Sequence, residues 1–179
     1  METFHLRVFQ GHVLDQCRFL LAAANEINAG LASRNTDQIL YAIQNLLNAA
    51  ANISKMLWGQ KGKLASQRAR LRDSIGIADD SPLRNVTMRN DFEHMDERID
   101  KWWAESKAHN HADRIIGPKD STIVGIEPTD MFRMFDPQTT DVIFWGEEFN
   151  IRALVTEVQR ILPLLQAEAK KPHWDQSER

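Results

Sequence analysis

Two runs of apolar residues, each repeating at steps of three and four, constrain the fold of this chain more than any other feature. Val13, Cys17, Leu20, Ala24 and Ile27 mark one face of a helix from about Gly11 to Ala29. Ile39, Ile43, Leu46, Ala50, Ile53 and Leu57 mark a second helix from about Thr36 to Trp58, with Asn35 or Thr36 as its N-cap. A helix with one apolar stripe must bury it against a neighbour. Helices joined by short connections therefore predict an antiparallel bundle.

Gly59 and Gly62 end the second helix, and a shorter basic helix is expected from Lys63 to Ser74, stopping at Gly76. Asp79-Asp80-Ser81-Pro82 predicts a restart, with Ser81 as cap and Pro82 in the first helical position of a helix reaching about Lys107. The period then changes. Arg114–Ile116, Thr122–Ile126, Met131–Phe135 and Val142–Trp145 are β-like, with turns at Gly117-Pro118-Lys119-Asp120 and Asp136-Pro137-Gln138. They predict a small antiparallel sheet or a set of hairpins. Helicity returns from about Phe149 to Ala169, with Ile151, Leu154, Val158, Ile161 and Leu165 on one face and a kink or split at Pro163. The polar tail from Lys171 is expected to fray. The expected fold is one mainly α domain spanning 1–179. Residues 11–107 and 149–169 form its helical core, and a β-like insertion over 113–148 precedes the last helix.

Charge limits the partners. With 22 Lys and Arg against 25 Asp and Glu, the formal net charge is -3. A surface that coats nucleic acid is strongly basic, so any such contact here must be local, through a basic pocket or a dimer groove. The single cysteine, Cys17, cannot form an internal disulfide, and on the apolar stripe it reads as a small core residue. The N-terminal residues show no basic segment followed by a long apolar run, and no stretch is long enough to span a bilayer. The expectation is a cytoplasmic protein with no membrane contact.

The chemistry-bearing segment is Arg89-Asn90-Asp91-Phe92-Glu93-His94, inside the helix expected to reach Lys107. At about 100° per residue, Met88, Phe92, Met95, Ile99 and Trp102 fall on one side, with Trp103 beside them. Asn90, His94, Glu97 and Lys101 fall on the other. Asn90 and His94 are four apart and therefore neighbours. Arg89 lies on the flank, within reach of that pair or of Glu93. A neutral imidazole can take a proton from an RNA 2′-hydroxyl or return one to a leaving oxygen. A guanidinium can hold the phosphate in a forked contact and stabilise transition-state charge. An asparagine can orient the imidazole. Such cleavage requires no metal and no cofactor. The same residues also suit a solvated face laced with weak charge pairs.

Arg89-Asn90-x-x-x-His94 on a late helix of a bundle resembles the HEPN (higher eukaryotes and prokaryotes nucleotide-binding) superfamily. Its signature is an arginine, usually a polar residue next, and a histidine four to six residues on. The resemblance implies a metal-independent endoribonuclease of toxin–antitoxin, phage-defence or RNA-processing type. It further implies a homodimer in which two motifs meet, and RNA and a cognate antitoxin or other partner protein as binding partners. It carries over Arg89 as phosphate clamp, Asn90 as orienting group and His94 as general acid/base. The β-like stretch lies outside the minimal pattern of that superfamily. The alternative is a non-catalytic helical protein that binds a nucleotide, an RNA or a protein.

Other patterns compete with this one. Arg7 and His12 repeat the spacing, with Val8 in second position. His109-Asn110-His111-Ala112-Asp113 has metal-ligand spacing but lacks a second cluster, and reads as a polar connector. Asp91, Glu93, Asp96 and Glu97 point away from the apolar stripe, against a carboxylate-bridged metal site. Lys61, Lys63, Arg68, Arg70 and Arg72 form a basic segment, read as a solvated face or a place to hold an RNA backbone. Trp102 and Trp103 read as core or dimer-interface residues.

Overall fold

In the computed structural model, which describes residues 1–174, both periodic runs are long helices: α1 (Thr3–Ser33) and α2 (Thr36–Trp58). α1 begins well before Gly11, because Leu6 continues the stripe and is buried with Val13 and Cys17. The turn between the helices follows from three residues. Arg34 takes a left-handed φ of 54°, and the Asn35 amide donates back to the Gly30 carbonyl at 2.8 Å, closing α1. The Asn35 side chain then accepts the Gln38 amide at 3.1 Å, capping α2. Gly30 is required for the approach, since a Cβ there would sit 2.8 Å from Ile39 Cγ1.

The remaining elements are α3 (Ala69–Ser74), α4 (Met88–Glu93), α5 (Met95–Glu105), β1 (Ile115–Ile116), α6 (Lys119–Thr122), β2 (Met134–Asp136), β3 (Asp141–Phe144), β4 (Glu147–Asn150) and α7 (Ile151–Ala169). The chain is mainly helical, with a small four-stranded sheet before the last helix. Several sequence expectations are corrected. The first half of the expected basic helix is turn and 3₁₀, and only its second half, Ala69–Ser74, is α-helical. No helix starts at Pro82. The Ser81 hydroxyl donates to Glu157 at 3.0 Å, and the weak helix formers Asn85, Val86 and Thr87 separate that turn from α4. Residues 123–126 form no strand. The sheet, expected to be antiparallel, is mixed: in the order β1-β2-β3-β4, β1 runs parallel to β2 and the other pairs are antiparallel. β4 had no expected counterpart. It follows a two-residue turn, Trp145-Gly146, in which both φ are positive (53° and 79°), the twist a tight hairpin needs. α7 continues through Pro163 as one helical span.

Contacts divide the chain into two units. The first comprises Met1–Asn25, Asn45–Val86 and the chain from Leu154 on. Leu20, Leu46, Ile53, Leu57, Leu71, Val158 and Ile161 are fully buried in it, each such side chain contributing about 1.5–3 kcal/mol. The beginning of the tail, expected to fray, is tied to α1. Arg7 Nε donates to the Pro172 carbonyl at 3.3 Å, and the Trp174 ring stacks on Phe4 at 5.0 Å. The rest of the tail lies outside the described residues.

The second unit comprises Glu26–Gln44 and Thr87–Ala153. The sheet supplies Phe135, Val142 and Phe144 to its core, Phe132 precedes β2, and α4 adds Met88 and Phe92. Asp136, itself buried, organises the sheet's polar end. One carboxylate oxygen accepts the Gln138 and Thr139 amides at 2.8 and 3.4 Å, and the other accepts the Lys119 amide at 3.0 Å. At the far end, Asn150 Oδ1 accepts the Ala153 amide at 3.0 Å, which caps α7 directly after β4.

Candidate functional site

The helix expected to carry the motif is two helices meeting at His94. His94 has φ −102° and ψ 42°, which ends α4 and starts α5. Its amide still donates to the Asn90 carbonyl at 2.9 Å, and its carbonyl accepts the Arg98 amide at 3.1 Å. Phe92 holds α4 against the sheet, with its ring centroid 6.3 Å from that of Phe144. That anchoring turns Asn90, Glu93 and His94 outward, all exposed. The core stripe survives only in part. Met88 and Phe92 are buried, but Ile99 is 44% and Trp103 67% exposed, because the break ends the face that α4 buries.

Arg89 is half-buried and forms an ion pair with Glu93, so within one chain its fork is already occupied. His94 Nδ1 lies 3.6 Å from Glu97 Oε1, too long for a hydrogen bond but close enough for the carboxylate to bias the ring's orientation. The Asn90 amide has no side-chain partner among the described residues. Arg98 Nε donates to Asp91 Oδ1 at 2.9 Å, and Lys101 lies 4.0 Å from Glu105. The structure thus brings Asn90, His94 and Glu97 to one exposed junction and leaves Arg89 beside it, turned to Glu93. Within one chain there is an imidazole, an amide and a neighbouring carboxylate, but no assembled phosphate clamp.

The other sequence candidates are occupied structurally. Arg7 is bound by Glu168 at 2.6 Å and by Gln10 at 2.7 Å, so the spacing it shares with His12 serves to fasten α1 to α7. The His109 ring packs 4.5 Å from Trp103, and the His111 ring 4.5 Å from Phe132. Asp113 takes a forked contact from Arg133, with Nε at 2.8 Å. Burial pushes the Asp113 carboxyl up, but the Arg133 hydrogen bonds and charge bring it below its ordinary pKa. Among the described residues no three His, Cys, Asp or Glu side chains gather as metal ligands. Cys17 is fully buried, and desolvation raises its thiol pKa to about 12.

Glu97, which the sequence places on the same face as Asn90 and His94, stands beside the imidazole. The sequence did not point to Asp130. It is buried, and its Oδ1 accepts Ser106 Oγ at 2.6 Å and Trp102 Nε1 at 2.8 Å, fixing the end of α5. The Ser106 hydrogen bond leads in holding its carboxyl below the ordinary carboxylate range. Nothing in Pro128-Thr129-Asp130 distinguishes it from a surface turn. No family model, curated protein or solved structure matches the chain.

Proposed function

We propose that this chain is a HEPN-like, metal-independent endoribonuclease that works as a homodimer and cuts RNA through its 2′-hydroxyl. The observation that carries the reading is the exposed Asn90–His94 pair at the α4–α5 junction, with Glu97 beside the imidazole. Cleavage by this route needs one group to take the 2′-hydroxyl proton and one to return a proton to the leaving oxygen. A single chain offers one such imidazole, so a second copy supplies the other. Arg89 exchanges Glu93 for the scissile phosphate, so that one anionic partner of the guanidinium replaces another. A toxin–antitoxin or defence setting with a cognate partner protein fits such an activity.

The Arg89–Glu93 pair also favours a second reading, a non-catalytic helical binding protein in which the motif is a solvated, charge-paired face. An RNA-cleavage assay in EDTA decides between them. Wild type is expected to cut, with Arg89→Ala and His94→Ala each losing about 100-fold or more. An inactive wild type, or cleavage surviving both changes, refutes the nuclease.

A further inference from the structure

Six of the 22 Lys and Arg fall within residues 38–72, where there is no Asp or Glu, leaving the other 16 to face all 25 acids. Of the six, Arg72 is buried and committed to carbonyls of its own unit. Lys61, Lys63, Arg68 and Arg70 form no ion pair among the described residues. Arg70 reaches the Met1 carbonyl at 2.5 Å and Thr3 Oγ1 at 3.3 Å. The Arg68 guanidinium lies 3.7 Å over the Phe9 ring, and its Nε is buried without an acceptor. Among the described residues, this half-buried guanidinium has no carboxylate partner and no acceptor for Nε, which leaves it available to an external anion.

The neighbouring surface of α1 carries rings. At about 100° per residue, Phe4, Val8 and His12 lie on one outward line with His5 beside them, and all four are exposed. On one flank Phe4 stacks on Trp174 with planes 14° apart, and the two are 49% and 56% exposed. On the other flank His5 packs against Phe9, with centroids 5.0 Å apart, beneath Arg68. Exposed rings next to uncompensated cations are what an unpaired nucleic-acid strand requires, since bases stack on rings while phosphates meet the charges. A membrane surface needs a continuous apolar face, whereas the outward line of α1 that carries Phe4, Val8 and Phe19 is interrupted by His12 and Asp15.

We propose that this strip, with Arg68 and Arg70 on one side, Phe4, His5 and Trp174 across it, and the exposed Lys61 and Lys63 extending the basic side along the chain, is a binding track for single-stranded RNA. It deepens the proposed function by naming where the strand is held, and it rests on that reading in taking the strand to be RNA. The test is fluorescence anisotropy of the full chain with a labelled 2′-O-methyl 20-nucleotide strand, which cannot be cut through its 2′ position. Affinity is expected to fall as salt rises. Lys61→Ser with Lys63→Ser should weaken binding about tenfold and flatten the log–log salt slope by about 1.4, at roughly 0.7 for each phosphate no longer neutralised. Trp174→Ala should weaken it about fivefold or more with the slope unchanged. Arg152→Ser, an exposed charge elsewhere, should change it less than twofold. These side chains are exposed, and circular dichroism verifies that each variant is folded. The track is overturned by no binding in 50 mM salt, by variants that bind like wild type, or by binding to phosphatidylglycerol vesicles but not to the strand. RNA left uncut while Trp174-dependent binding persists defeats the nuclease reading alone. Cutting with binding insensitive to these variants defeats the track alone.

Discussion

Arg72 and Arg89 each face a carboxylate, yet the two arginines do opposite work. Arg72 is 7% exposed. It donates to the Leu57 and Ala65 carbonyls at 2.9 and 2.7 Å and lies 5.6 Å from the Trp58 ring, whose Nε1 donates to Asp79 at 3.0 Å. Two of those partners are backbone carbonyls, held in place by the fold, and the Leu57 carbonyl is buried. Arg89, by contrast, belongs to a row of pairs on α4 and α5 that solvent reaches: Arg89–Glu93, Asp91–Arg98, His94–Glu97 and Lys101–Glu105. Each of those pairs joins side chains alone and ties up no buried backbone carbonyl. The difference separates charges that specify the fold from charges free to meet a ligand.

Four measurements test the contrast. Arg72→Ala has the largest expected effect, a loss of about 3 kcal/mol in a urea melt, because it strands the buried Leu57 carbonyl and removes the guanidinium packed against Trp58. If it proves as mild as a surface change, the contrast fails. Asp136→Ala is expected to cost about 2 kcal/mol, since the Lys119, Gln138 and Thr139 amides lose their acceptor together.

Acid should act through the same class of group. Burial raises the Asp136 carboxyl, but the backbone amides it accepts bring it below the ordinary carboxylate value, and Asp113 is lowered through Arg133. A carboxyl lowered in the folded state adds stability above its unfolded pKa of about 4 and loses it as pH falls through the folded value. Thermal melts should therefore hold steady from pH 7 to about 5 and then drop. Asp113→Asn should weaken that drop, and an unchanged acid profile would count against the role given to Asp113. Arg89→Ala has the smallest expected effect on stability, within about 0.5 kcal/mol in the same urea melt, while removing RNA cleavage.

The long helices were legible because α1 and α2 repeat their apolar residues over many turns, and Asn35 announced the turn between them. The Asp136-Pro137-Gln138 turn was also readable, although its carboxylate's reach to the Lys119 amide was not. Local signals mislead where a partner distant in sequence outweighs them. Ser81-Pro82 has the letters of a helix start, but the Ser81 hydroxyl is drawn to Glu157, far along the chain. The Trp145-Gly146 turn hid because a tryptophan at positive φ is not a usual turn signal. At the candidate site, the outward placement of Asn90 and His94 followed from periodicity. The break at His94 did not, and the sequence left Arg89 open between that pair and Glu93, because backbone path and side-chain choice depend on what anchors Phe92.

By itself, then, the sequence determined the helical character of the chain, the buried stripes of α1, α2 and α7, and the exposed side of Asn90 and His94. Periodic burial is a property of neighbours along the chain, and those patterns express it. Tertiary structure decided which arginines are committed and which are free, where the motif helix divides, and that β1 joins β2 in parallel. Each of these depends on a partner distant in sequence: the Leu57 carbonyl for Arg72, Phe144 for Phe92, Met134 for Ile115. No local pattern encodes which distant group will arrive.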